Sequence, residues 1–511
     1  MHFFLQKLSL SIALLAILHS ARLFDILPAL NYISGRQLSV NDPQTTGLPF
    51  NVAIIGAGAG GSSSAFWISK AMNRSDLNIS IDIFEQSSYI GGRSFSVNQT
   101  VHSVFSGQIS VELGAHLFED GHRNMWRAAS EFNLPVDVAQ IQSIYTWNGL
   151  KLQHFCTSFN CFVDYLWNYG YRLLSPGSGD RSARRVAAKF AEFYHANFTM
   201  WDRHGQLIDR LGLLTLLTSK SLDHFLEVGT PRLLVDDLFL PLLGYTHSPT
   251  HALQSVFQMT PHPHYQIPGG TRRVFEEFIQ ASSASVMLNT TVKSIEKSAD
   301  ARRWRVNTAN TSGEYDAVII AAPFHQTNMT SPEEVSAQVP LVSYETVHVT
   351  VVVTRSPYVN TTFPASQSQD EDMSDVMMGK EDKRRGDFSS LTHWRYAGQV
   401  WVVTIKSRSS LSDDWLSRAF AHDVEHVYRQ KWEHPVQAPT VDFSPIRLEQ
   451  GLYYLNGFES VVSSMETQIV ASLNLVNLLL HDFFKVDVCG PTTREKFQGT
   501  NRRHFVAGWD C

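Results

Sequence analysis

Gly56, Gly58 and Gly61, in the stretch NVAIIGAGAGGSSSAF, have the spacing G-x-G-x-x-G directly after a β-branched apolar run. Such a turn needs glycine three times. The first makes it tight, the second lets the backbone approach a pyrophosphate, and the third lets a helix pack closely on the preceding strand. The helix that begins there turns its N-terminus, with its unpaired N–H groups, toward the phosphates. Residues 52–55 are therefore expected as a strand buried on both faces and residues 62–72 as a helix. A second strand over 79–84 ends in Glu85, where an acid accepts hydrogen bonds from ribose hydroxyls. Strand, glycines, helix, strand and terminal acid together predict a dinucleotide site.

The elements that position these residues belong to a large chain. Its 511 residues, 43% hydrophobic and 18% charged, are enough to bury the cores of two intertwined domains. The net charge of −6 and the scattered Lys and Arg offer no basic field for a phosphate backbone, which argues against nucleic acid as a partner. Residues 1–21, with Lys7 and the apolar run 8–18, read as a secretory signal peptide too short to span a bilayer. Residues 22–49, containing Pro28, Pro43, Gly47 and Pro49, read as a leader or linker. No later stretch is long and apolar enough to span a membrane; peripheral membrane contact is left open. Eight N-x-[ST] sequons, at Asn73, Asn78, Asn98, Asn197, Asn289, Asn310, Asn328 and Asn360, fit passage through the secretory pathway. Cys156 and Cys161 are close in sequence, as are the C-terminal Cys489 and Cys511; two short-range disulfides suit that compartment, although sequence leaves the pairing open.

Flavin and nicotinamide sites share this first unit, so the discriminator lies downstream. After Glu85 come Gly91-Gly92-Arg93, then ELGAH from Glu112. This pattern resembles the flavoprotein superfamily of monoamine oxidases and phytoene desaturases. The resemblance implies FAD, with Gly91 and Gly92 beside the pyrophosphate and Arg93 reaching a phosphate. LNTTVKSIE resembles the strand whose backbone, near Val292, meets the adenine, and YDAVIIAAP the strand that closes the domain. The segment over 452–480 reads as strand, glycine turn at Gly457 and long helix; the resemblance brings Glu459 to the ribitol and the helix start at Met465 to the flavin pyrimidine. Reduced flavin gains negative charge there, which helix-start N–H groups stabilise.

LYYLNG with the following SMET, IIGAGAGG and IPGGTRRVFEEF together resemble the prenylcysteine oxidase, or prenylcysteine lyase, family over nearly the whole mature chain. Membership implies oxidation of farnesyl- or geranylgeranyl-cysteine by molecular oxygen to a prenyl aldehyde, cysteine and hydrogen peroxide, in a lysosome- or vacuole-like compartment or outside the cell. FAD is expected to be noncovalent, because no Cys or His lies in a recognisable linkage motif. The flavin carries the hydride step; His116 and His247 are the candidates for positioning water or the cysteine head group. The apolar segments 162–174 and 233–247 are candidates for a prenyl tunnel, and the charged run 370–387 reads as a surface loop. The alternatives are a secreted amine or polyamine oxidase, and a flavoprotein that carries a lipid without turnover. The expected architecture is α/β: a Rossmann-like FAD domain from residues 50–155, 262–330 and 445–485, an α+β substrate domain from 156–261 and 331–444, and a tail over 486–511.

Overall fold

The computed structural model describes residues 48–101, 107–139, 144–147, 152–155, 178–195, 199–236, 250–258, 263–299, 302–355, 375–378, 388–396, 400–420, 423–490 and 505–511. The glycine turn lies between β1 (Phe50–Ile55) and α1 (Ala59–Ser75), which is followed by β2 (Ile79–Phe84). Further along come α2 (Arg273–Ser282), β3 (Ser285–Met287), β4 (Ala317–Ile320), β5 (Arg447–Glu449), β6 (Leu452–Tyr454) and α3 (Met465–Phe484). The six strands form one sheet in the order β3-β2-β1-β4-β6-β5. All are parallel neighbours except β5, which runs antiparallel to β6. Continuous apolar runs such as β4 fit a sheet covered on both faces.

α1 packs against both α2 and α3. Its first turns carry Gly60, Gly61 and Ser62 to Ser64, all buried, and small residues are required there. A Cβ on Gly60 would lie 2.2 Å from Leu455 Cδ2, and one on Gly61 would lie 1.9 Å from the Gly56 carbonyl oxygen. α3 is apolar on nearly every side, consistent with its burial along most of its length.

A second, seven-stranded sheet runs in the order Val424–Pro435, Tyr344–Thr354, Val400–Ser407, Ser390–Tyr396, Asp375–Met378, Ile144–Trp147, Leu152–Phe155. Its last two strands come from the 50–155 stretch but pair with the second sheet, Ile144–Trp147 running parallel to Asp375–Met378. Asp375–Met378 also corrects the reading of 370–387 as a loop throughout: DVMM is flanked by charges but its backbone groups pair on both edges. The remainder of that run, segment 162–174, Cys156, Cys161 and residues 1–47 lie outside the described residues.

The C-terminal tail docks on α1. Arg74 donates to the carbonyls of Val488, Gly508 and Trp509, and the Trp509 ring packs against Phe66, Trp67 and Phe278. Cys489 and Cys511 are disulfide-bonded across a sequence separation of 22. Closing a loop of that length stabilises by roughly 3 kcal/mol. A thermal melt with and without reductant is expected to show a clear fall in Tm; coincident melts would show that the bond contributes nothing.

Candidate flavin site

Gly56 has φ +106°, a value that favours glycine, and a Cβ there would lie 2.7 Å from the Ala321 carbonyl oxygen. Its N–H bonds the Phe84 carbonyl at 2.8 Å, closing the turn across the ends of β1 and β2. Gly58 is the N-cap of α1, with no side-chain cap and no acid in the first turn, so the first N–H groups of the helix are left for an anion. The second glycine turn stacks on the first. Gly91 N–H bonds the Ala57 carbonyl at 2.9 Å, Gly58 and Gly91 form a parallel bridge, and a Cβ on Gly92 would lie 3.0 Å from Gly58 Cα. The result is a cradle of bare backbone beside a positive helix end, which suits a pyrophosphate.

Glu85, at the end of β2, accepts the Ala57 N–H on Oε2 at 2.7 Å and the Ser87 N–H on Oε1 at 2.8 Å. It therefore braces the glycine turn from the end of β2. The Glu85 carbonyl accepts the Thr290 N–H at 2.8 Å, which brings the buried Val292, first residue of the strand Val292–Lys297, to the same edge.

Arg93 and Glu459 meet in an ion pair. Glu459 is buried and also accepts a bond from Asn456 Nδ2 at 2.8 Å. Burial alone would pull the Arg93 pKa down, but the Glu459 charge reverses this and leaves it raised. The pair adjoins a cleft lined by Phe324, Tyr344, Phe443, Tyr454, Asn456 and Glu459. Beyond it, Ser464 caps α3 through a reciprocal box with Thr467, placing Met465 in the first helical position. Gly457 admits no side chain: a Cβ there would lie 2.2 Å from Ser444 Oγ and 3.1 Å from His204 Nε2. Among the described residues, buried polar atoms without partners gather around these segments, including Ser94 Oγ, Asn456 Oδ1, Ser444 Oγ and both amide atoms of Gln468. Folded proteins leave few such atoms unsatisfied, so their concentration fits a polar cofactor lying against them.

His116 Nδ1 lies 2.9 Å from the Gly114 carbonyl, and burial pushes the imidazole pKa down to about 4, so the ring is neutral at physiological pH. Thr271 joins this turn to its neighbour, its hydroxyl donating to the His116 carbonyl at 2.8 Å and its N–H to Glu112 Oε1 at 3.2 Å. Burial raises the Glu112 pKa to about 7, against the lowering effects of Thr271 and Arg272. His247 lies outside the described residues. Sequence reasoning missed Asn456 and Tyr344. Asn456 stands beside Gly457 in a segment already singled out, whereas Tyr344 opens a strand with no local sign of a site. Among the described residues there is no group of side chains suited to a metal and no helix long and apolar enough to cross a membrane.

A Rossmann sheet carrying this cradle, joined to a second, mostly antiparallel sheet, places the chain in the fold class of the flavin-dependent oxidases. The CLA-producing fatty acid isomerase from P. acnes matches with a TM-score of 0.58 and 14% identity over 85% of this chain and 99% of its own. A putative protoporphyrinogen oxidase from Exiguobacterium sp. 255-15 matches with a TM-score of 0.57 and 12% identity over 84% and 98%. Putrescine oxidase bound to putrescine matches with a TM-score of 0.54 and 14% identity over 86% and 99%. At these identities the likeness is one of fold.

Sequence likeness is more specific. Residues 54–132 match the NAD(P)-binding Rossmann-like domain, and residues 156–488 match the family described as prenylcysteine lyase. The chain belongs to the prenylcysteine lyase family and is an oxidoreductase that takes a flavin. Prenylcysteine oxidase 1 of Mus musculus is 22% identical over 470 residues, 85% of this chain and 89% of the relative. Farnesylcysteine lyase of Arabidopsis thaliana is 22% identical over 490 residues, 90% and 92%.

Proposed function

We propose that this chain is an FAD-dependent thioether oxidase that converts farnesyl- or geranylgeranyl-cysteine, water and oxygen to a prenyl aldehyde, cysteine and hydrogen peroxide, in the breakdown of prenylated proteins. The observation that carries this reading is the family match over 156–488 in a chain whose two glycine turns form a bare-backbone cradle. Bound noncovalently, FAD supplies the hydride acceptor and the electron path to oxygen. The protein supplies the rest. The N–H groups behind Gly58 hold the pyrophosphate, Glu85 the ribose, and Val292 the adenine. Arg93 and Glu459 serve the phosphate and ribitol side, and the α3 start at Met465 stabilises negative charge on the pyrimidine. The substrate carbon is allylic and bears sulfur, so hydride loss leaves a cation shared by sulfur and alkene; water adds, and the hemithioacetal releases thiol and aldehyde. Little acid–base help is needed. A neutral His116 offers a hydrogen bond to water without adding a positive charge beside that cation, and His247 is the second candidate for this role.

Residues 156–261 and 331–444 are assigned to the prenyl tail. The proposed address is the secretory pathway, ending in a lysosome or vacuole or outside the cell. Support comes from the six described sequon asparagines, Asn73, Asn78, Asn98, Asn289, Asn310 and Asn328, all of which are exposed, and from the disulfide Cys489–Cys511.

Peroxide release tests the function when purified protein is offered farnesyl-cysteine, a polyamine or buffer. Peroxide with farnesyl-cysteine alone is expected, accompanied by FAD that enters the supernatant on acid precipitation. Activity with the polyamine alone would instead identify an amine oxidase. Tight prenyl binding by a flavin that no donor bleaches would identify a lipid carrier.

A further inference from the structure

Glu466, the second residue of α3, is a carboxylate only 2% exposed and forms no salt bridge among the described residues. Neutral groups hold it. Oε1 accepts the Asn124 backbone N–H at 3.0 Å, Asn124 Nδ2 at 2.7 Å and the Tyr194 hydroxyl at 2.7 Å; Oε2 accepts the Met125 N–H at 3.0 Å. The first and last of these donors are backbone groups at the start of the helix Arg123–Glu131, so the carboxylate also sits on that helix's positive end. Asn124 is fixed in turn by the Trp509 indole, which donates to its Oδ1 at 2.9 Å. Burial raises the Glu466 pKa, and the bonds from Asn124, Tyr194 and Met125 offset only part of that rise. The three N–H donors favour the charged form of this carboxyl against the effect of burial, and the Tyr194 hydroxyl has one proton to share between Glu466 and the Gly121 carbonyl at 2.9 Å.

A neutral amide would keep one acceptor for Asn124 and Tyr194 but set its NH2 against the Met125 N–H, so the site is built for a carboxylate. The charge lies one residue from Met465. We infer that Glu466 carries a fixed negative charge into the first turn of α3, and that this charge holds the bound flavin at a lower reduction potential than the helix start alone would give. The inference rests on the reading that this turn meets the flavin pyrimidine. A helix N-terminus draws electrons onto the flavin, whereas a nearby anion opposes their arrival and keeps the reduced cofactor reactive toward oxygen. Glu466 is thus a charge-setting and positioning residue. Among the described residues, the ionisable groups near it include Tyr194, Arg123, whose guanidinium lies 5.0 Å from the Tyr194 ring centroid, and the Arg127–Asp510 pair further along the same helix.

The test is a dye-coupled redox titration of the holoenzyme. Glu466→Gln is expected to shift the flavin midpoint upward, whereas Trp509→Phe, which removes a bond to Asn124 but no charge, is expected to lower Tm and leave the midpoint in place. An unchanged midpoint in Glu466→Gln would overturn the inference. Should that variant not fold, Tyr194→Phe decides the matter. A carboxylate that loses a donor takes up its proton at higher pH, so the midpoint of Tyr194→Phe is expected to rise more steeply than wild type between pH 8 and pH 6. Parallel pH profiles would overturn the inference. Wild-type protein that binds no flavin would refute the cofactor reading with it, while a normally bound flavin indifferent to Glu466 would refute the inference alone.

Discussion

Gly58→Glu protein is expected to purify folded and colourless, whereas Gly61→Ala is expected to destabilise the folded domain itself. The two glycines are three residues apart in one motif, yet the structure gives them different tasks. Gly58 has φ −74° and ψ −171°, extended backbone open to any residue, and a Cβ there would have Gly92 Cα at 3.7 Å as its nearest neighbour, an ordinary contact. A glutamate therefore costs the apoprotein little. Its carboxylate would occupy the cradle and face the α1 N-terminus in place of the pyrophosphate. Losing charge-assisted bonds at about 1.5–3 kcal/mol each weakens FAD binding by roughly 100-fold or more. On Gly61, by contrast, the Cβ would meet the Gly56 carbonyl oxygen at 1.9 Å and Ile54 Cγ2 at 3.2 Å. The backbone contact cannot swing away, so the cost is about 3 kcal/mol, the upper end for overpacking, or more. Circular dichroism and flavin absorbance after reconstitution separate the two cases. A yellow Gly58→Glu protein would refute the placement of the pyrophosphate.

Arg93→Met is expected to lower both Tm and flavin retention, and the double variant with Glu459→Gln is expected to recover Tm without recovering flavin. The Glu459 side chain is 4% exposed and the Arg93 side chain 34%. Removing the cation leaves Glu459 buried with Asn456 Nδ2 as its described side-chain donor. Breaking a fully buried pair costs about 3–5 kcal/mol; partial solvation of Arg93 reduces this to about 2 kcal/mol. Converting the glutamate to an amide removes the stranded charge, so the two substitutions should be strongly non-additive in stability. Flavin retention should not recover if both groups face the cofactor's phosphate and ribitol side, as proposed above. An Arg93→Met protein as stable as wild type would show that the pair carries no weight in the fold.

The βαβ unit is legible from local residue types alone. The expected strand over 52–55 and helix over 62–72 lie within β1 and α1, and the second strand, 79–84, coincides with β2. Local rules suffice there. A buried parallel strand is a short apolar run, and a positive φ at Gly56 or a close approach at Gly61 is written in the glycines themselves. The C-terminal helix was legible for the same reason, as a long apolar run after the Gly457 turn, and the structure buries it along most of its length. Which distant residues meet depends on how the strands and helices are arranged. Arg93 and Glu459 are 366 residues apart and pair because β6 adds to the sheet beside β4, a neighbour relation that neither strand encodes locally. The strands Ile144–Trp147 and Leu152–Phe155 joined the second sheet because a backbone edge provided by Asp375–Met378 was open to them, in a run whose charges suggested only solvent. His116 and Glu466 show the same limit at single residues. Their types are visible in the sequence, but the protonation preferences come from burial and from donors on distant segments, which exist only once the chain has folded.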